Sequence, residues 1–353
     1  MGASAILIKL VLLSGYQIKK SATNVTKLLT STLMMTALMI SKSYAGDGMV
    51  TLTWENDLFS SSDGQYTNGI GFSYAKPLRS YFQENETPSL IYWLLKDTDF
   101  ANQTGKRRSI AHSFGQAMFT PEDISQESLI ENDRPYAGLL IWNTSLIAFD
   151  ESISDRWTFS LGLVGPEAFA KDVQTSIHKA TGSDKPMGWD NQLNNEPVFR
   201  IEKETLFRAL ELELNPSFGM DFLAFGSLGL GNLMSSAEAG ISVRFGHSLD
   251  QTYPNFSSFP VRNPNYLAGR SANWQIFASR AKSYVFNDIT LDGNTFTDSH
   301  SVDLIKDRML SVLGISFGFQ SWSIMLSYQE SSKTFKTQAQ DSSYGALSIS
   351  SIW

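Results

Sequence analysis

Cysteine is absent from all 353 residues, which excludes a disulfide framework and a thiolate metal site. Positive charge is also scarce, with 28 Lys and Arg against 35 Asp and Glu and a formal net charge of −7. Five positive charges (Lys9, Lys19, Lys20, Lys27 and Lys42) fall in residues 1–45, which hold no acid and no arginine. The rest of the chain therefore carries −12, the −7 of the whole less those five. Such a balance argues against nucleic acid as a partner, because binding phosphates needs surplus Lys and Arg. After Gly46 no apolar run reaches the roughly eighteen residues of a membrane-spanning helix. A shorter run does precede it. In "KLLTSTLMMTALMISKSYA", residues 27–45, a lysine leads into the apolar stretch Leu28–Ile40, and Ser43-Tyr44-Ala45 follows as a cleavage region. The run is too short to span a bilayer comfortably as a helix. Residues 1–45 are therefore read as a secretory signal, with "ASAILIKLVLLSGY" as an N-terminal extension, and 46–353 as one mature domain.

What fills the mature chain is period-two alternation. Trp157, Phe159, Leu161 and Leu163 share one face, opposite Thr158, Ser160 and Gly162. Leu313, Ile315, Phe317 and Phe319 oppose Gly314, Ser316 and Gly318, and Trp322, Ile324, Leu326 and Tyr328 oppose Ser323, Met325 and Ser327. A soluble sandwich turns its large face inward and shows water longer charged side chains. Here the second face is small and polar, which suits a crowded lumen, while the large apolar face suits lipid. The pattern predicts an all-β fold, a transmembrane antiparallel barrel of about twelve strands in an outer membrane. Closing the sheet satisfies every backbone donor where water is missing. Expected strands span 48–57, 66–77, 107–117, 135–149, 154–165, 196–206, 207–218, 235–248, 272–286, 303–319, 322–333 and 343–353, the last ending on Trp353. An even count leaves both termini in the periplasm, with outer loops starting near 57, 118, 166, 219, 287 and 334. The 78–106 connection becomes periplasmic, and its "PSLIYWLLKD" suits a short interfacial helix.

Residues 165–182, "GPEAFAKDVQTSIHKATG", break the alternation and predict a helix in the third outer loop. Pro166 suits its first turn, Glu167 its positive end, and Gly182 its stop. Gln174 and His178, four apart, share a face. The tip of the first hairpin, "WENDLFSSSDGQYTNG", lies at the same rim, as does "NDRPYAG" (132–138). Asp57 and the amide oxygen of Asn56 are hard oxygen donors suited to calcium. A neutral His178 is suited to take a proton from water as general base, with Gln174 steering it. The same Asn-Asp pair also suits an ordinary turn, and a helical histidine an ordinary solvated surface.

In order along the first half of the mature chain stand "ENDLF", "QYTNG", "QAMFTPED", "DRPYAGLL", "LGLVGPEA" and "VQTSIHKATGSDKPMGWDNQL". Together these motifs resemble the outer-membrane lipid A 3′-O-deacylase family. The later strands agree with it only in pattern. The resemblance implies a twelve-stranded, calcium-dependent esterase that removes the 3′-O-linked acyloxyacyl chain from the lipid A of lipopolysaccharide in the outer leaflet. It puts the family's asparagine and aspartate on Asn56 and Asp57, its threonine on Thr67, and its glutamine and catalytic histidine on Gln174 and His178. An acidic calcium ligand after the helix, Glu in the family, falls on Asp184, one methylene shorter. A basic phosphate-binding residue of the second outer loop has no counterpart between Thr120 and Glu131; Arg134 is the candidate substitute, beside the structural reading in which an Asp-Arg-Pro turn only ties Asp133 to Arg134. The barrel is expected to act as a monomer with its site facing outward from the cell.

Two rivals stand beside this reading. An outer-membrane phospholipase would need a serine–histidine–asparagine site. "AHSFG" offers His112 and Ser113, but neighbours on a strand point to opposite faces. His247 and His300 are read as solvated. A small porin or adhesin would carry no such rim cluster.

Overall fold

A computed structural model of the protein describes residues 48–57, 65–215, 218–249, 252–253, 273–319 and 321–352. The signal segment 1–45, the hairpin tip 58–64 and Trp353 lie outside the described residues. Twelve strands close one antiparallel barrel. They are β1 (Met49–Asn56), β2 (Gln65–Ala75), β3 (Arg107–Thr120), β4 (Ala137–Phe149), β5 (Ile153–Val164), β6 (Glu196–Asn215), β7 (Phe218–Leu230), β8 (Met234–Gly246), β9 (Asn273–Asp288), β10 (Asp307–Phe319), β11 (Trp322–Ser331) and β12 (Ser342–Ile352). The seam pairs β1 with β12, Trp54 opposite Leu347, and no sheet edge is left over.

The two faces divide as the alternation requires. Ile70, Phe72, Leu161, Ile241, Leu313, Phe317, Ile324 and Leu326 are exposed on the outside, as lipid contact demands. Inside, Thr51 and Thr53 bond to Ser350 and Ser348 across the seam at 2.8 and 3.0 Å. Toward the end that bears the termini the lumen holds buried charge. Asp221 lies between Arg208 and Arg244, and all three are buried. Arg156–Glu204 and Arg200–Glu202 pair at 3.1 and 3.3 Å farther along. A lumen filled by paired side chains at several levels is a poor channel.

The strands tilt. From Thr53, halfway along β1, the ladder row runs through Gly71, Gly115, Ile141 and Gly162 to Val198, close to the extracellular start of β6. In the other direction it runs through Ser348, Met325, Ser316 and Gln275 to Gly246, the last residue of β8. A row perpendicular to the strands therefore climbs toward the extracellular rim from β8 through β12 to β6, the stagger that closure imposes.

Two expectations need correction. The strands expected at 196–206 and 207–218 are one strand, β6, of 20 residues, and β7 is Phe218–Leu230. No turn former interrupts 198–214; the turn signal is Asn215-Pro216, and Asn215 pairs with Phe218. An irregularity between Arg208 and Leu210 shifts the alternation by one residue and so mimics a new strand. The fourth outer loop is consequently the short link between β7 and β8, and position 219 lies at the opposite end.

The helix expected over 165–182 is also split. Pro166–Ala168 form a 3₁₀ turn, Phe169 adopts φ 58°, and the α-helix runs only from Ala170 to Thr181. Four helices punctuate the described loops: α1 (Ser89–Leu95), α2 (Asp99–Asn102), α3 (Ala170–Thr181) and α4 (Ile289–Asp292). The 78–106 connection folds back over the outside of the wall. Ile91 and Leu95 of α1 pack with Ile110, Leu146 and Ala148, while Arg108 donates to the carbonyls of Ser80 and Gln103. Leu90, Trp93 and Leu94 remain exposed on the far side of α1, so this short helix is apolar toward both barrel and bilayer.

Candidate functional site

Where β1 ends, Asn56 and Asp57 are buried although both are polar. The Asn56 amide nitrogen donates to the carbonyl of Thr67 at 3.0 Å, which fixes the orientation of the amide and turns its oxygen the other way. Thr67 occupies a register shift between Tyr66 and Asn68, and its hydroxyl meets that of Thr120 at 2.8 Å. Asn56 pairs with Asn68, two residues beyond half-buried Trp54 and its exposed partner Ile70, so it belongs to the outward face of the wall. The cluster sits outside the barrel, at the extracellular rim.

α3 is pressed against that same outer face. Gln116 of β3 donates to the carbonyl of Ala168, and Ala170 packs with Met118, Tyr136 and Trp189. The approach at β4 is close: a Cβ on Gly138 would lie 2.7 Å from the Ala170 Cβ. Tyr136 rests on Trp189 at 4.9 Å between ring centroids and leaves no room for a side chain at Gly188. "NDRPYAG" is thus the seat of the helix.

Between helix and wall lies a cavity of ≈430 Å³. Asn56, Asp57, Thr67, Gln174, His178 and Asp184 all line it. The Trp189 indole donates to Gln174 Oε1 at 2.6 Å, which leaves Gln174 Nε2 as a buried donor with no hydrogen-bond partner among the described residues. Gly182, at φ 78°, ends α3 and donates to the His178 carbonyl at 2.8 Å. Ser183 donates to the same oxygen, and the chain turns until the Asp184 carbonyl meets His178 Nδ1. A carbonyl only accepts, so Nδ1 carries the proton and Nε2 is the basic nitrogen of the neutral ring.

Two residues that sequence reasoning missed share the cavity, Glu122 and Asp123, with Ser125 beside them. Hydrogen bonds from the Ser125 side chain, then from Gln126, hold the Asp123 carboxyl below its usual range. The quoted motif "QAMFTPED" contained both acids, but nothing in their spacing revealed which way the loop folds. The lining thus combines four carboxylates with amide and hydroxyl oxygens and no lysine or arginine. That donor set fits a hard cation such as calcium. Among the described residues no three acidic or histidine side chains are close enough to form a cage, so the fit rests on buried Asp57 with amide and backbone oxygens.

Arg134 does not reach this cavity, which corrects its expected substrate-binding role. Its guanidinium points into the barrel, donates to the Thr290 hydroxyl at 3.0 Å and covers the Phe119 ring at 4.5 Å. It lines a separate cavity of ≈120 Å³ with Tyr66, Asp288 and Arg308. Burial lowers its pKa to about 10, so it remains charged at neutral pH. His300 is not simply solvated, since its Nε2 meets the Asp133 carbonyl at 2.8 Å and ties two outer loops together.

The serine-hydrolase rival is divided by the wall. Ser113 accepts from Asn143 at 3.0 Å inside the lumen. His112 stands outside, against Thr144 and Trp142. No lumenal histidine completes the pair on these two strands.

A family model described as "Outer membrane protein LpxR" matches residues 28–353. Among solved structures, LpxR from Salmonella typhimurium superimposes with a TM-score of 0.73 at 18% identity, covering 86% of this chain and 100% of that one. At that identity the likeness concerns the fold. The β domain of the Bordetella autotransporter BrkA gives a TM-score of only 0.43 at 9% identity, covering 87% and 99%. No curated protein matches the sequence.

Proposed function

We propose, for a chain that belongs to the LpxR family of outer membrane proteins, that it is a lipid A 3′-O-deacylase working at the extracellular rim. One observation carries the reading. A helix-borne histidine and a buried Asn-Asp-Thr cluster face each other across a cavity on the outside of the barrel wall, where lipid of the outer leaflet lies. A lumenal site would serve a soluble substrate; this placement favours a lipid ester.

His178 Nε2 takes a proton from water, and the resulting hydroxide attacks the acyl carbonyl. The ester C–O bond breaks, the fatty acid departs, and the sugar 3′ oxygen recovers the proton from the imidazolium. The bond from Nδ1 to the Asp184 carbonyl holds the ring in the tautomer this requires. Gln174 Nε2, buried and unpaired among the described residues, is the donor available to orient the water. Thr67 fixes Asn56 through its carbonyl and joins the wall to β3 through its hydroxyl. Calcium would be held by Asn56, Asp57 and Asp184, the last with a shorter arm than glutamate. When bound, it supplies polarisation of the ester carbonyl and charge to balance the developing oxyanion.

The test is mass spectrometry of lipid A from cells expressing matched amounts of each variant. His178→Ala is expected to abolish release of the 3′ acyl group while the barrel still shows heat-modifiable migration. Ser113→Ala and His112→Ala should leave most of it. Full deacylation by the His178 variant would end this reading, and loss confined to the Ser113 variant would revive the serine hydrolase.

A further inference from the structure

On the side of the barrel away from the cavity, the outer face carries charge inside its apolar belt. Outward residues of β9 include Ile276, then Arg280 and Lys282, then Tyr284 and Phe286. All five are exposed, so the two cations are bracketed above and below by lipid-facing side chains. Across the ladder Arg280 pairs with Ser311 of β10, and Ser311 with Glu330 of β11. Glu330 is exposed and stands two residues from exposed Tyr328. Lys282 pairs with Asp307 at 3.0 Å. Neither Arg280 nor Glu330 has an ion-pair partner among the described residues. Charge on the lipid face near mid-bilayer is costly in a β-barrel, and an unpaired ion there calls for a partner.

We infer that a second copy of this chain supplies it, through a two-fold contact centred on β10. The tilt sets the geometry. At a strand spacing of about 4.8 Å and a tilt of about 40°, each step from β9 toward β11 lifts the row by about 3 Å. Glu330 therefore stands about 6 Å above Arg280, and Lys282, two residues up the strand, stands about 5 Å above it. Lys282 and Glu330 thus share a level on either side of β10. A two-fold axis along the membrane normal, in front of β10, sets Lys282 of one copy against Glu330 of the other, twice, with Arg280 just below. The patch is self-complementary, with two cations and two anions. β12 intervenes between it and the strands of the cavity, so association leaves that cavity open. This revises the single copy expected from the sequence.

The absence of cysteine makes the test direct. Ser311 lies near the proposed axis, and Leu161 lies on β5, across the barrel. Ser311→Cys, in intact outer membranes treated with a short bis-maleimide, is expected to give a covalent dimer; Leu161→Cys should not. Adding Glu330→Lys should lower the dimer yield at least tenfold. Further adding Arg280→Glu, Lys282→Glu and Asp307→Lys, which reverses all four charges of the patch, should restore it. Heat-modifiable migration confirms that each variant is folded. No dimer from Ser311→Cys, equal dimer from Leu161→Cys, or a yield indifferent to Glu330→Lys would each overturn the inference.

Discussion

Replacing Gly138 with alanine separates the seat of α3 from the chemistry it presents. The new Cβ would lie 2.7 Å from the Ala170 Cβ, against about 3.5 Å for an unstrained carbon–carbon contact. Neither atom can swing aside, because each is fixed to its backbone, so α3 must retreat from β4 by about 0.8 Å. Overpacking of this kind costs roughly 1–3 kcal/mol, which a closed barrel tolerates. The rate is more sensitive. Gln174 and His178 lie one and two turns farther along α3, whereas Asn56, Asp57 and Thr67 stay with the wall. A displacement near 1 Å between groups that must meet one ester costs about a hundredfold. We expect Gly138→Ala to lower initial 3′ acyl release from lipid A in mixed micelles by about that factor, with heat-modifiable migration unchanged. Ala170→Gly in the same chain removes the 2.7 Å contact and leaves only contacts of 3.3 Å, to the Ala168 Cβ and the Gly165 carbonyl. The double variant should recover to within about tenfold of the parent, short of full rate because glycine weakens the helix by about 1 kcal/mol. Full activity in Gly138→Ala, or a loss that Ala170→Gly does not relieve, would refute the reasoning.

Two further outcomes follow from the site. Chelation should abolish deacylation and added calcium should restore it, with magnesium serving poorly because it demands tighter octahedral geometry; undiminished hydrolysis in excess chelator would remove the ion from Asn56 and Asp57. Arg134→Met should leave the rate within about threefold, since a side chain directed into the lumen contributes nothing to the cavity, and should cost little stability because a buried cation with no salt-bridge partner among the described residues is replaced by an apolar chain of similar reach; a hundredfold loss of rate would return Arg134 to the substrate.

The count of twelve strands, the lipid-facing side and, among the described residues, the absence of a spanning helix were legible in the sequence, the count because splitting β6 offset the missed β7. They follow from period two: Leu313, Ile315 and Phe317 opposite Gly314, Ser316 and Gly318 have one arrangement that suits lipid outside and crowding inside. Pairing of His178 with Gln174 was legible for the same kind of local reason, four residues being one helical turn. Where alternation ran on without a turn former, as from 198 to 214, local pattern misplaced a strand, because only ladder pairing distinguishes a register irregularity from a reversal. Arg134 shows the other limit. Its neighbours Tyr136 and Gly138 seat the helix, yet its own side chain passes inward to Thr290, 156 positions away in sequence. No spacing records that distance. The outward placement of the cavity, its two unforeseen acids and the height at which Lys282 meets Glu330 likewise depend on strand stagger around a closed barrel. Stagger is a property of the whole ring of twelve pairings, so only the tertiary structure decides it.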